Sequence, residues 1–328
     1  MSVFLGRNQE VGLSKETTRG TVPAAVSAWV RKTEITVKDM PEYFVDESNV
    51  GRVEYAIGGE IAQKRVEGDL KGIIYDQSFG YILDALFGTV SSATKGGESA
   101  VYEHTYTVLN DLQCRSLSIN VKNPNEHLVY ALAVLDSLEI KAEVGKPVEY
   151  TAKFKGAKAG VASTKTPSYS TEYYFLGKGV TFKHADTQAN LTSASATSVR
   201  SINLKFTRNA EPDDVLGNVE ATDIYSKTFK IEFTIVYVNS ATTLKGYYTA
   251  GTMRAMRFNF VNSGTTIGTA SNPNLQIDLN QVLFTNYEET SGMDDVNLAT
   301  ISGVATYKVA DTKMVQAILT NTKANYSA

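Results

Sequence analysis

Residues 67–88 read EGDLKGIIYDQSFGYILDALFG, a strand that runs directly into a short helix. Val66, Leu70 and Ile74 share one face at the strand's period of two, and Glu67, Asp69 and Lys71 share the other. Asp76 is placed to cap the helix by accepting a first-turn N–H. Phe79, Ile82, Leu83, Leu86 and Phe87 then recur at i, i+3, i+4, i+7 and i+8, a single apolar stripe. Gly88 supplies the left-handed stop. The same grammar returns in residues 227–251, KTFKIEFTIVYVNSATTLKGYYTAG. There Phe229, Ile231, Phe233, Ile235 and Tyr237 alternate with Lys230, Glu232, Thr234 and Val236, Asn239 or Ser240 is the expected cap, and Gly251 the stop. Two copies of one unit predict a duplicated domain.

Working outward, 328 residues suffice for two cores. The 24 glycines and the abundant Thr, Ser, Val and Tyr favour strand and turn. The 32 basic and 35 acidic residues nearly balance, which argues against a dedicated nucleic-acid binder. A single cysteine, Cys114, excludes an intrachain disulfide and a cysteine-based metal site. The opening MSVFLGRNQEVG has no charged segment followed by an apolar one, so no signal peptide is expected, and no apolar run is long enough to span a membrane.

Residues 1–30 lack sustained periodicity and read as an N-terminal arm with Trp29 as its first large anchor. Residues 31–156 read as the first domain. Within it 39–59 and 89–100 read as loops, 102–108, 114–121 and 128–135 as strands, and 138–154 as a hairpin turned by Gly145-Lys146-Pro147. Residues 157–171, AKAGVASTKTPSYST, read as a linker. Residues 172–328 form the second domain, in which 209–218 holds the place of the 39–59 loop, 254–261 matches 102–108, and 298–309 closes the half as 148–154 closed the first.

No chemistry-bearing constellation emerges. His104, His127 and His184 lie in different elements. Cys114 has Arg115 beside it but no base. Gly58-Gly59 and Gly96-Gly97 lack the context and lysine of a phosphate loop, and the acidic runs at 211–214 and 294–295 lack the alternating ligands of a calcium loop. Neither an enzyme nor any cofactor or metal is expected.

Several stretches together carry a resemblance: KETTRGTVPA, YILDALFG, SLEIKAEVGKPVEYTAKFKG, RFNFV, DDVNLATISGVATY and AILTNTKANYS, in that order. The sequence resembles the major tail tube proteins of long-tailed bacteriophages. The resemblance implies a mainly β fold, a sandwich or half-barrel flanked by a short helix, whose strands join a β-barrel shared around a ring. Rings stack into a hollow tube in the virion, assembled in the host cytoplasm, and DNA passes through without sequence-specific binding. Other implied partners are further copies of the chain, the tape-measure protein, and terminator and distal tail proteins, with no membrane. Two tube domains per chain favour a trimeric, pseudo-hexameric ring over a hexamer. Strand alternation then turns Glu67, Asp69, Lys71, Glu139, Lys141, Glu143, Lys153, Lys230, Glu232 and Thr234 to the lumen. The resemblance implies an acidic bore, whereas this set mixes signs. Two other roles fit the same strands: a baseplate hub, distal ring or contractile or secretion tube of this fold, and a surface-binding β-sandwich presenting Tyr169, Tyr173 and Tyr174.

Overall fold

The structure is a computed structural model that describes residues 5–326; residues 1–4 of the expected arm and residues 327–328 of the expected second domain lie outside the described residues. The chain is mainly antiparallel β. The first half runs β1 (Glu10–Lys15), β2 (Ala28–Val30), β3 (Glu34–Ile35), β4 (Lys38–Asp46), β5 (Gly58–Ile73), α1 (Phe79–Phe87), β6 (Gly88–Lys95), β7 (Glu98–Val108), β8 (Ser116–Lys122), β9 (His127–Glu143) and β10 (Glu149–Gly156). A two-residue strand, β11 (Val161–Ala162), interrupts the expected linker. The second half runs β12 (Val180–Ala185), β13 (Ala196–Thr197), β14 (Val199–Thr207), β15 (Ala210–Asp213), β16 (Asp223–Ser226), β17 (Lys230–Val238), α2 (Thr243–Ala250), β18 (Arg254–Val261), β19 (Asn274–Thr290), β20 (Leu298–Ala305) and β21 (Val315–Asn321).

One sheet crosses the whole molecule. Its pairing order is β3/β4, β5, β10, the C-terminal part of β9, β14, β17, β20 and the C-terminal part of β19. Along β17 and β10 burial alternates residue by residue, so one face meets the core and the other is solvated. The inward face (Leu138, Ile140, Ala152, Phe154, Leu204, Phe206, Ile231, Phe233) packs in one cluster with residues of a second layer such as Tyr106, Phe258, Ile277 and Leu319. That layer joins β6, β7, β21, the N-terminal part of β19, β18 and β12, with β1, β2 and β8 alongside the N-terminal part of β9. The long strands β9 and β19 pass between layers, and bulges against β10 and β20 mark where each changes partners.

Several sequence expectations change. Residues 10–15 and 28–30, expected in the arm, are β1 and β2, and Val11 and Leu13 are fully buried. Strand β1 lies between β2 and β8 with its central residues buried, which erases the alternation that would have announced it. Trp29 is a buried anchor against His127. The 39–59 segment is largely a hairpin arm, β4 paired with the outer part of β5, exposed along both strands. The 89–100 loop is the β6–β7 hairpin.

The helices also depart from expectation at their starts. Asp76 does not cap α1; its carboxylate accepts the Tyr173 amide at 2.7 Å. The N-cap is Ser78, whose amide donates to Glu172 at 2.9 Å, and α2 starts at Thr242 rather than at Asn239 or Ser240. Both stops are as read: Gly88 and Gly251 are left-handed, at φ 86° and 62°. Helix α1 is buried on every side, including Asp84, which pairs with Lys15 of β1 at 3.0 Å. Helix α2 buries only Leu244.

The strand pairings of the two halves repeat. Strands β1, β2, β3, β5, β8, β9 and β10, with helix α1, correspond to β12, β13, β14, β17, β18, β19 and β20, with helix α2, and the pairings β1–β2, β1–β8, β3–β5, β5–β10, β8–β9 and β9–β10 each recur in the second half. Both long strands, β9 and β19, have 17 residues. The hairpins β4–β5 and β15–β16 occupy the same place in the order. The counterpart of residues 254–261 is β8, however, and not 102–108, because β18 pairs with β12 and β19 as β8 pairs with β1 and β9. The β6–β7 hairpin is additional to the first half and pairs with β21, so the last strand of the chain is stitched into the first half.

Candidate assembly surface

The solvated face of the long sheet collects all ten residues that alternation assigned outward. Glu67, Asp69 and Lys71 lie on β5, Lys153 on β10, Glu139, Lys141 and Glu143 on β9, and Lys230, Glu232 and Thr234 on β17. The register sets them in rows. One row runs Glu34, Lys71, Thr151, Glu139, Lys205, Glu232 across β3, β5, β10, β9, β14 and β17. The next runs Glu149, Lys141, Asn203, Thr234, Ser302, Asn286. Lys205, Asn203, Thr151 and Ser302 thus join the face; β14 alternates as regularly as β17, so Lys205 and Asn203 were within reach of the same reading.

Charge on this face is paired at close range. Lys71 lies 2.8 Å from Glu34, Lys230 2.7 Å from Glu232, Lys141 3.2 Å from Glu139, and Lys146 2.6 Å from Glu143 at the β9–β10 turn. The hydrogen bond to Glu34 raises the Lys71 pKa, and the one from Lys146 lowers that of Glu143. These pairs are solvent-accessible and add little stability. Their effect is to make the face a mosaic of both signs.

Two edges bound the sheet. At one end β3 and β4 pair only with β5; at the other, the 283–290 part of β19 pairs only with β20 among the described residues. Between them β9 and β14 join the two halves, with Lys141 opposite Asn203 and Glu139 opposite Lys205. Arg208, just beyond β14, reinforces that joint. Its guanidinium donates to the carbonyls of Leu86 at 2.6 Å and Phe87 at 3.0 Å, the end of α1, and lies over the Phe229 ring. A second polar anchor is Glu16. It accepts from Ser116, Ser118, and the amides of Gly20 and Leu132, and so holds Leu132 at φ 53° where β9 bends. Neither Arg208 nor Glu16 stood out in the sequence, because each looks like a solvated charge until its partners are known.

The β4–β5 hairpin carries an exposed apolar surface: Tyr43, Phe44, Val45, Val53, Tyr55 and Ile57. Of the tyrosines weighed as a binding platform, Tyr169 and Tyr174 are exposed; the Tyr169 hydroxyl donates to Glu10 and Tyr174 packs edge-on against Tyr75. Among the described residues, no three His, Cys, Asp or Glu side chains cluster as a metal site. His104 is buried between Ser92 and Asn321, His127 abuts Trp29, and His184 abuts Tyr247. Burial raises the pKa of Cys114. Among the described residues, no helix is long and apolar enough to cross a membrane.

No curated protein matches the chain. A family model described as "Phage tail tube protein" matches residues 6–322, from the turn before β1 to the end of β21. That family is structural and not an enzyme family. With nearly the whole chain matched, this two-layer β protein belongs to the phage tail tube protein family, a major structural component of the virion tail.

Proposed function

We propose that the protein forms stacked rings that make up the hollow tail tube, with DNA passing through the bore. The observation that carries this reading is the β9–β14 joint: the sheet crosses from one half to the other unbroken and ends in two free edges. A head-to-tail contact that repeats such a joint closes a ring when the rotation allows, and ring closure removes both edges. Two repeats per chain make three chains a pseudo-sixfold ring.

In that ring the solvated face, with Glu67, Asp69, Lys71, Glu139, Lys141, Glu143, Lys153, Lys230, Glu232 and Thr234, lines the lumen. Alternating lysines and carboxylates keep the wall from offering DNA a run of cations, and tight phosphate contacts would stall transit. The tape-measure protein occupies the bore before DNA does, and terminator and distal tail proteins close the ends. Negative-stain microscopy of the purified protein tests the assembly: rings or tubes with a central hole are expected, and a monodisperse monomer under all assembly conditions sinks it. Native mass spectrometry should count three chains per ring; six would overturn the trimer.

The exposed β4–β5 hairpin is the contact between stacked rings. The double variant Tyr43→Asp, Phe44→Asp alters exposed side chains, so stability should stay within about 0.5 kcal/mol of the parent. Rings should still form while tubes do not; tubes of undiminished length would rule out this role.

A further inference from the structure

The internal repeat identifies an occupied groove and a twin that is open among the described residues. In the second half, the short 3-10 turn Gly177–Gly179 and residues 199–202 receive the β9–β10 turn of the first half. The Val144 amide donates to the Arg200 carbonyl at 3.2 Å, the Gly177 amide to the Lys146 carbonyl at 2.9 Å, and the Val148 amide to the Phe175 carbonyl at 2.9 Å. The turn packs so closely that a Cβ on Gly177 would lie 2.2 Å from the Glu143 carbonyl oxygen. Only about 30 Å³ of space remains there.

The first half contains the same receptor. A 3-10 turn, Gly6–Asn8, precedes β1 as Gly177–Gly179 precedes β12. The sequence FLGR at 4–7 returns as FLGK at 175–178, and Val30-Arg31 returns as Val199-Arg200. The strand register agrees independently: Glu34 pairs with Lys71 as Asn203 pairs with Thr234, the spacing that sets Arg31 against Arg200. Between Gly6–Glu10 and Val30–Ile35 lies an open groove of about 1070 Å³. A Cβ on Gly6 would meet nothing within 4 Å among the described residues.

Because β19 corresponds to β9, the counterpart of the inserted β9–β10 turn is the β19–β20 turn, residues 291–297. Every one of those residues is exposed, Met293 completely. It carries Asp294 and Asp295 after Glu288 and Glu289, whereas the groove is lined by Arg7, Arg31 and Lys32 together with Glu10 and Glu34, whose charges pair with Lys122 and Lys71. Groove and turn belong to opposite ends of one sheet, with β5, β10, β9, β14, β17 and β20 between them, so the turn of a chain does not reach its own groove.

We propose that the β19–β20 turn of one chain inserts into the Gly6–Glu10/Val30–Ile35 groove of a second copy and pairs β19 with its β3 edge in the register of the internal joint. This rests on the ring reading and specifies its contact. Ser201 opposite Glu143 places Lys32 opposite Thr290, and Lys205 opposite Glu139 places Thr36 opposite Asn286.

The test uses the full chain. Facing Cα atoms in an antiparallel pair lie within disulfide range, and the native Cys114 is buried. The double variant Lys32→Cys, Thr290→Cys should therefore give disulfide-linked rings on oxidation, while each single variant gives no ladder. Gly6→Val should keep the parent's thermal midpoint and lower the assembled fraction at least tenfold, because the added side chain projects into open space in the free chain and collides only with a partner's inserted turn. Wild-type rings that form alongside an uncrosslinked double variant and a freely assembling Gly6→Val would overturn this contact and leave the ring reading standing. Failure of the wild-type chain to assemble at all would sink both.

Discussion

Arg208→Ala should destabilise the fold by on the order of 3 kcal/mol and break the cooperativity between its halves. The side chain is only 2 % exposed and has no carboxylate partner among the described residues. Burial lowers its pKa, and its charge is balanced by the negative end of α1, whose last carbonyls it binds. Removing it takes a donor from the Leu86 carbonyl, leaves the Phe87 carbonyl with the Leu109 amide at 2.7 Å, and opens a void among Phe87, Phe206 and Phe229. Helix α1 belongs to the first half and β14 to the second, so the loss falls on the internal joint. Denaturant unfolding followed by two probes should change from one coincident transition to two. Arg208→Lys should not rescue, since an ammonium lacks the fork that reaches two carbonyls at once. A midpoint shift worth less than about 1 kcal/mol, with transitions still coincident, would show that the aromatic contacts alone hold the joint.

The legible parts of this chain are those with one wet face and one dry face. β5, β10, β17 and the C-terminal part of β9 alternate because a solvated side is opposed to a core side, and that pattern carries the ten residues read as facing away from the core. Where both faces are covered, as in β1 and β8, nearly every residue is buried and no period survives. Where both are exposed, as in β4, the segment reads as a loop for the opposite reason. Helix α1 was visible as a stripe but not as a buried helix, because what covers its polar side comes from far away: Lys15 for Asp84, and Tyr326 against Tyr81. Its N-terminal partner Glu172 is likewise remote in sequence, which is why local reading settled on Asp76. The repeat was legible as an order of elements, but its alignment needed the strand register. Without that register, the additional β6–β7 hairpin draws 254–261 onto the wrong partner.

Asp76 should make stability fall as pH rises from about 4 to about 7. The residue follows β5 into the core and is fully buried. Burial pushes its pKa from 3.8 up to about 7; the hydrogen bond from the Tyr173 amide opposes that rise, and the nearby Glu172 carboxylate adds to it. In the unfolded chain the group ionises near its ordinary value, so between about 4 and 7 the folded state holds the proton more tightly. The stabilisation is therefore complete below about 4 and lost as pH climbs through 7, at up to about 1.4 kcal/mol per pH unit. Exposed carboxylates with lowered values, such as Glu143 and Asp311, impose the opposite slope, so the measurement is a difference between two proteins. Asp76→Asn keeps an oxygen for the Tyr173 amide and cannot ionise. Relative to the parent it should gain stability steadily from pH 4 to pH 7 and be the more stable protein above that, by a few kcal/mol on the same scale. The Arg31–Glu172 contact at 3.4 Å is present in both proteins and cancels in the comparison. A stability difference between parent and variant that does not change with pH would mean that Asp76 is ionised in the folded protein throughout, its charge held by the backbone donors at the start of α1.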